Sequence, residues 1–325
     1  MRIEDFYLKI DAAFSHILPD ELDGKLDIRK VEVLKINDQI YHGYTFRFVD
    51  KEIAPTFYID DAYEEWRIGR IDPKEVANDL YNQYLATMDL APESIPQGDA
   101  AVLSFEENKD RLGYKIVSLD RNKAYLRDKP YRVLDGGLAA AYYIDYGEGY
   151  AITINDAILE QMDVDEETLW STAIDNTLKI DPPVLRSMED AHLREDRNLL
   201  DNIEAIDPEE LEPMYVLTSE SGSWGASYMA HPDIMKKAAE VIGQNLYILP
   251  SSLHEVILVP DDNVSVERTT INRLHDMVKS TNRAVVLPQD ILSDEVYRYD
   301  VHEHKFSCLT LDVKEEYEAV EDMDF

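Results

Sequence analysis

Residues 214–260, MYVLTSESGSWGASYMAHPDIMKKAAEVIGQNLYILPSSLHEVILVP, constrain the fold more than any other stretch of the chain. They read as a strand (214–218), a glycine-rich loop, a helix (232–242), a strand (246–249), a Pro-Ser-Ser corner and a strand (255–259). The apolar runs are short and bounded by Gly, Pro and Ser, as strands are, whereas the helical segment is longer and amphipathic. Gly243 follows its last apolar turn, where a residue of positive φ closes a helix.

The preceding chain repeats this mixture. Ile3, Phe6, Tyr7, Ile10, Phe14, Ile17 and Leu18 recur at spacings of three and four, which predicts a helix with one buried stripe. Runs 28–36 and 40–48, joined by Asn37-Asp38-Gln39, with a third candidate at 53–59, predict an antiparallel meander, because turns this short reverse the chain. Asp72-Pro73-Lys74-Glu75 opens the next helix with an N-cap, a first-turn proline and a glutamate that bonds back; Val76, Leu80, Tyr84 and Met88 are its stripe. These elements predict a first lobe over residues 1–90, and LAPESIPQGD (90–99) reads as a linker. A second lobe over 98–311 follows. Its expected strands are 115–119, 138–145 and 150–154, then a helix from Asp165 stopped by Asp181-Pro182-Pro183 and a further helical stretch over 184–193. After residue 260 the pattern predicts a helix over 265–279 and strands at 284–287 and 296–311. Residues 312–325 form an acidic tail peripheral to the core. The fold class expected is α+β: two lobes, each an antiparallel sheet packed with helices.

Charge limits the partners. With 32 Lys and Arg against 67 Asp and Glu, the formal charge is -35. That excess repels phosphate backbones and anionic membranes, so neither direct nucleic-acid binding nor membrane association is expected. Residues 155–213 alone hold 18 acids and 4 bases, a local charge of 4 − 18 = −14. A single cysteine, Cys308, excludes an intramolecular disulfide and fits a reducing compartment. The N-terminal MRIEDFYLKIDAAFSHIL carries acids where a secretory leader carries bases, and no apolar run approaches the ~20 residues of a membrane span; a cytoplasmic protein is expected.

The segments VEVLKINDQIYHGYTF, IAPTFYIDDAYEEWRIGR, MYVLTSESGSWGAS, NLYILPSSLHEVILVP and ILSDEVYRYD resemble the uncharacterised bacterial domain-of-unknown-function family 5688, found in gut Firmicutes and on their mobile elements. The likeness covers nearly the whole chain. YAITINDAILEQMDVDEETLWSTAIDNTLKIDPPV resembles, more distantly, a second uncharacterised Bacillus-type family. The first resemblance implies a bacterial or phage cytosolic protein and brings no reaction with it. One departure is Asp135-Gly136-Gly137-Leu138, where relatives are expected to carry an aromatic followed by Asp-Leu.

Three stretches carry groups suited to chemistry. Ser252, His254 and Glu255 combine hydroxyl, imidazole and carboxylate, but in an extended segment Ser252 and His254 stand roughly 6.5 Å apart at the backbone, beyond a serine–histidine bond, and there is no Gly-x-Ser-x-Gly elbow. A β-corner whose serines satisfy turn amides is the expected reading. Asp300, His302 and His304 alternate along an expected strand, which would place three metal ligands on one face. Gly222-Ser223-Trp224-Gly225 precedes a helix but lacks the Walker lysine and the dinucleotide glycine spacing, so a tight turn with Trp224 covering the core is expected there. Cys308, between Phe306 and Leu309, reads as a small buried hydrophobe.

No constellation meets the demands of catalysis, and no cofactor is expected. The expected function is a non-enzymatic, acidic, protein-binding module. The alternative is a nucleic-acid mimic that inhibits a bacterial defence nuclease or restriction enzyme through a basic groove, with Glu209, Glu210 and Glu212 as contact residues; a metal-dependent hydrolase at Asp300, His302 and His304 is third. Any site in residues 214–260 is expected where the corner 250–255 faces the loop 222–225.

Overall fold

The computed structural model describes residues 2–19, 22, 24–48, 54–88, 103–147, 150–193, 196–202, 204–261 and 268–309. The fold is α+β. The expected linker at 90–99 and the tail at 312–325 lie outside the described residues.

The N-terminal part holds α1 (Ile3–Ile17), β1 (Leu26–Leu34), β2 (Ile40–Phe48), β3 (Thr56–Tyr58), α2 (Asp60–Arg67) and α3 (Pro73–Met88). The three strands form an antiparallel meander in the order β1-β2-β3. α1 buries Phe6, Tyr7, Ile10, Ala13 and Phe14, its predicted stripe, against Tyr44 and Phe46 of β2 and Val76, Ala77, Leu80 and Tyr84 of α3. Aromatic edge contacts order this core, as Phe14 meets Tyr44 at 5.3 Å and Phe46 at 5.7 Å.

The larger part continues with α4 (Phe105–Asn108), β4 (Leu112–Ser118), β5 (Tyr131–Leu134), β6 (Leu138–Gly147), β7 (Tyr150–Thr153), α5 (Asp156–Met162), α6 (Glu166–Ile180), β8 (Pro183–Ser187) and α7 (Met188–Leu193). It ends with β9 (Tyr215–Ser219), α8 (Pro232–Ile242), β10 (Asn245–Leu249), β11 (Glu255–Asp261), α9 (Arg268–Ala284), β12 (Val296–Asp300) and β13 (Lys305–Leu309). Two antiparallel sheets result: β4 to β7 around β6, and a six-stranded sheet in the order β13-β12-β10-β11-β9-β8. Strand β10 shows how the second is buried on both faces. Leu246 and Ile248 enter the main core, while Tyr247 and Leu249 pack with Leu274 and Val278 of α9 on the other side.

Several expectations need correction. Residues 184–193 are not one helix: Pro183 cannot supply a helical amide, Val184 and Leu185 pair with β9, and helix resumes only at Met188, where the Ser187 hydroxyl accepts the amide of Asp190 at 3.0 Å. Residues 284–287 are not a strand; the amides of Val285 and Val286 bond Thr281 and close α9. Residues 296–309 are two strands joined by a turn, so His302 and His304 leave the sheet. The helices α2, α4 and α5 and the strand β5 had no expectation.

The tip of the β1–β2 hairpin is where the N-terminal part engages the rest. Asn37 and Asp38 both have positive φ (59° and 50°), the left-handed turn that asparagine and aspartate tolerate best. Asn37 is buried. Its amide nitrogen Nδ2 donates to the carbonyls of Pro288 (3.1 Å), Gln289 (2.9 Å) and Ile291 (2.8 Å), and its backbone N–H donates to Asn122 Oδ1 at 2.7 Å. Asn122 Nδ2 returns a bond to Asn37 Oδ1 at 2.9 Å, and the Asp38 carboxylate accepts the amides of Ala124 (2.9 Å) and Tyr125 (2.8 Å). Beside them Ile36 enters the hydrophobic core of the larger part.

Asn37→Ala removes these side-chain bonds, takes the donor from three part-buried carbonyls and strains the turn; a loss of about 3 kcal/mol is expected in denaturant unfolding. Asn37→Gly keeps the backbone relaxed and is expected to cost about 2 kcal/mol. A change in both variants inside the noise of the method would show that the hairpin tip does not hold the two parts together.

Candidate functional site

A cavity of about 450 Å³ opens between the β1–β2 hairpin and the larger part. Val33, Leu34, Lys35, Ile36, Tyr41 and Tyr58 wall it on the hairpin side; Lys115, Tyr125, Lys129, Thr153, Trp224, Leu253, Gln289 and Asp290 complete it. Its volume is that of a small-molecule site. In a chain with twice as many acids as bases, three lysines and one carboxylate line this space.

Lys115 is the group that needs explaining. It stands mid-strand in β4, LGYKIVS, every residue of which is buried, and only 9% of Lys115 is exposed. Among the described residues it has no carboxylate partner. Its ammonium lies instead over aromatic rings, 4.8 Å from the centroid of Trp224 and 5.8 Å from that of Tyr125. Lys129 Nζ approaches the Tyr125 ring at 4.5 Å and Lys35 Nζ the Tyr58 ring at 5.0 Å. Cation–π contact steadies an ammonium by about 0.5–2 kcal/mol without neutralising it. Burial, reinforced by the charges of Lys35 and Lys129, pushes the Lys115 amine down to about 8. Lys129 does have a partner, the exposed Asp128 at 2.6 Å.

The Trp224 side of the cavity is built from the glycine-rich loop. Ser219 Oγ donates to the Ser223 carbonyl at 2.8 Å and accepts the Ser223 amide at 3.0 Å, while Ser221 Oγ donates to Asp181 Oδ2 at 2.6 Å. The amides of Ser221 to Trp224 are taken up by Asp181, Ser219 and His254, so the loop does not form a phosphate cradle. Gly225 lets the chain pass so close to β9 that a Cβ there would meet Ser219 N and the His254 carbonyl at 2.5 Å each. Trp224 takes a left-handed φ of 59°, a conformation that costs a bulky residue about 1–3 kcal/mol and persists only when its surroundings enforce it. Its N–H donates to His254 Nδ1 at 3.4 Å, and the two rings lie 5.7 Å apart. Because Nδ1 accepts, the imidazole proton sits on Nε2, which faces Asp290 Oδ1 at 3.4 Å.

The corner 250–255 and the loop 222–225 therefore do face one another, but the sequence-nominated residues separate. Ser252 Oγ accepts the amide of His254 at 3.0 Å, as a turn serine does. Ser252 and Glu255 line a different, apolar cavity of about 300 Å³ beside Met277, Val278 and Val285, while the His254 ring turns to Trp224 and Asp290. No triad is assembled. Asp300 accepts the amides of His302 (2.9 Å) and Glu303 (3.0 Å) and pairs with Arg298 at 2.9 Å, so it is a turn cap, and hydrogen bonds hold its carboxyl below the usual range. His304, with φ 50°, lies 3.3 Å from the Tyr299 hydroxyl. The expected common face of Asp300, His302 and His304 is thus corrected, because the three span a reverse turn. Among the described residues no group of three His, Cys, Asp or Glu side chains is placed to share a metal ion. Glu209 and Glu210 are exposed on a single turn over Pro208–Glu210, and Glu212, half-buried, gives its amide to the Tyr215 hydroxyl at 2.9 Å. Cys308 is half-buried against Gly136, and burial pushes its thiol up to about 12.

The family model of DUF5688, a family of unknown function, matches residues 3–301, and the chain belongs to this family. No curated protein and no solved structure matches the chain. No helix among the described residues is long and apolar enough to cross a membrane.

The depressed Lys115 has a thermodynamic signature. An unfolded lysine binds its proton up to pH near 10.5, whereas the folded one releases it from about 8, so stability rises as pH increases between these values. Lys115→Met is expected to raise stability at neutral pH by about 3 kcal/mol and to flatten the unfolding free energy over that window. Lys35, Lys129, Tyr125 and Asp290 face the same cavity and must be kept intact. A variant less stable than wild type, with an unchanged pH slope, would mean that the buried ammonium is compensated in the folded state.

Proposed function

We propose that the protein is a non-catalytic binding protein whose ligand is a small anionic molecule, held in the cavity between the β1–β2 hairpin and the larger part. The observation that carries this reading is the Lys115 ammonium, buried between Trp224 and Tyr125 with no counter-ion among the described residues. An isolated buried charge costs several kcal/mol, and an anion entering the cavity would offset that cost. Lys35, at the mouth, adds an ammonium held over the Tyr58 ring, and Lys129, although paired with the exposed Asp128, adds a second over the Tyr125 ring. Steering by the chain as a whole is unfavourable, since its net charge repels anions at long range. Selectivity therefore falls to the short-range lysines, and binding weakens modestly with salt. The single cysteine and the family setting accord with a cytoplasmic, bacterial or mobile-element protein.

Calorimetric titration with inorganic phosphate and with citrate tests the reading. Wild type is expected to bind at least one of them, with affinity falling as pH rises through 8, and Lys115→Met to bind at least about tenfold more weakly while remaining folded. Equal affinity in the two proteins would remove the cavity from consideration.

A second reading is favoured by the exposure of Glu209 and Glu210 on their own turn. Here the acidic segment meets the basic groove of another protein, such as a defence nuclease, in place of nucleic acid. A salt-sensitive complex lost on neutralising Glu209, Glu210 and Glu212 supports it; a complex indifferent to salt counts against it.

A further inference from the structure

Resting on the cavity reading above, we infer that Lys115 Nζ captures its ligand covalently, as an imine with an aldehyde or α-keto acid whose carboxylate is held by Lys35 and Lys129. Three features of the geometry converge on this chemistry. The amine faces an open cavity wide enough for a small organic acid, rather than being sealed in the core. Its neighbours are the faces of Trp224 and Tyr125, so no carboxylate among the described residues fixes it as an ammonium. Two further ammonium groups stand on the same walls, which both disfavours a third charge and provides the site for the ligand's anionic end.

The burial that depresses this amine leaves roughly a hundredfold more of it unprotonated at neutral pH than an ordinary lysine has. The lone pair of the neutral amine adds to the carbonyl carbon, giving a carbinolamine. That adduct loses the former carbonyl oxygen as water, which carries away both amine hydrogens, and a carbon–nitrogen double bond to Nζ remains. No oxidant, reductant or metal is consumed, and hydrolysis returns both partners. The capture is reversible, and release needs water to reach a cavity whose hairpin wall hangs from Asn37 and Asp38.

Reductive trapping tests the inference. Full-length protein is incubated with glyoxylate and sodium cyanoborohydride near neutral pH, and the adducts are mapped by peptide mass spectrometry, with phosphate binding measured in parallel. The expected result is one dominant adduct on Lys115, at least about tenfold above any other lysine. It should be absent in Lys115→Met, with circular dichroism run alongside to check that the variant is folded. In the doubly substituted Lys35→Ala, Lys129→Ala protein, which keeps the amine, glyoxylate trapping on Lys115 should fall several-fold while trapping of neutral propionaldehyde persists. Adducts spread over exposed lysines with Lys115 unmodified would overturn the inference. If phosphate still binds in that case, the anion site stands and only the covalent step fails; if phosphate also fails to bind, both are lost.

Discussion

The left-handed turn at Asn37 and Asp38 is the joint on which the rest of the structure depends. An αα- or ββ-contact can slide, but a buried asparagine whose two amide hydrogens are shared among three carbonyls and whose oxygen is bonded by another asparagine is held in one arrangement. The same turn does two further things. Through the Asp38 carboxylate it caps the amides of Ala124 and Tyr125, and so orients a ring against which both Lys115 and Lys129 rest. By carrying Lys35, Tyr41 and Val33 with it, the hairpin supplies one wall of the cavity. The fold and the candidate site therefore share a constraint.

The cavity is unusual in how it treats charge. Elsewhere this acidic chain pairs its bases with carboxylates: Arg132 with Glu166 and Glu167, Arg298 with Asp261 and Asp300, Arg121 with Asp294. Among the described residues Lys115 has no such partner, although carboxylates are abundant and the neighbouring Lys129 pairs with Asp128. Aromatic faces take their place, at the cost of a strained φ at Trp224 and a closely packed Gly225. Strain and an uncompensated charge meeting at one cavity mark a place where stability has been given up locally, and such places are where binding and chemistry concentrate.

Much of the architecture was legible in the sequence. The stripe of α1, the β1–β2–β3 meander and the stretch from β9 to β11, with Gly243 closing α8, follow from periodicity and punctuation alone. The failures were local and physical. Val184 and Leu185 suit a strand as well as a helix, and only pairing with β9 decides between them. Val285 and Val286 look like strand residues but hang off the end of α9. The site was scarcely legible. The expected strand began at Lys115, which put this lysine at its edge, and nothing nearby in sequence says that Lys35, Tyr125, Trp224 and Asp290, drawn from four other segments, surround it. Sequence proximity brought together Ser252, His254 and Glu255, read there as a β-corner, and the corner does separate them: Ser252 and Glu255 line one cavity while His254 turns to Trp224 and Asp290.

The central claim is that Lys115 is an uncompensated amine awaiting an anion. Direct titration of its ammonium by NMR, with and without inorganic phosphate, tests it most simply. The account predicts an apparent pKa near 8 in the free protein, moving upward when phosphate occupies the cavity. A Lys115 that titrates as an ordinary surface lysine, and does so identically with phosphate present, would contradict it.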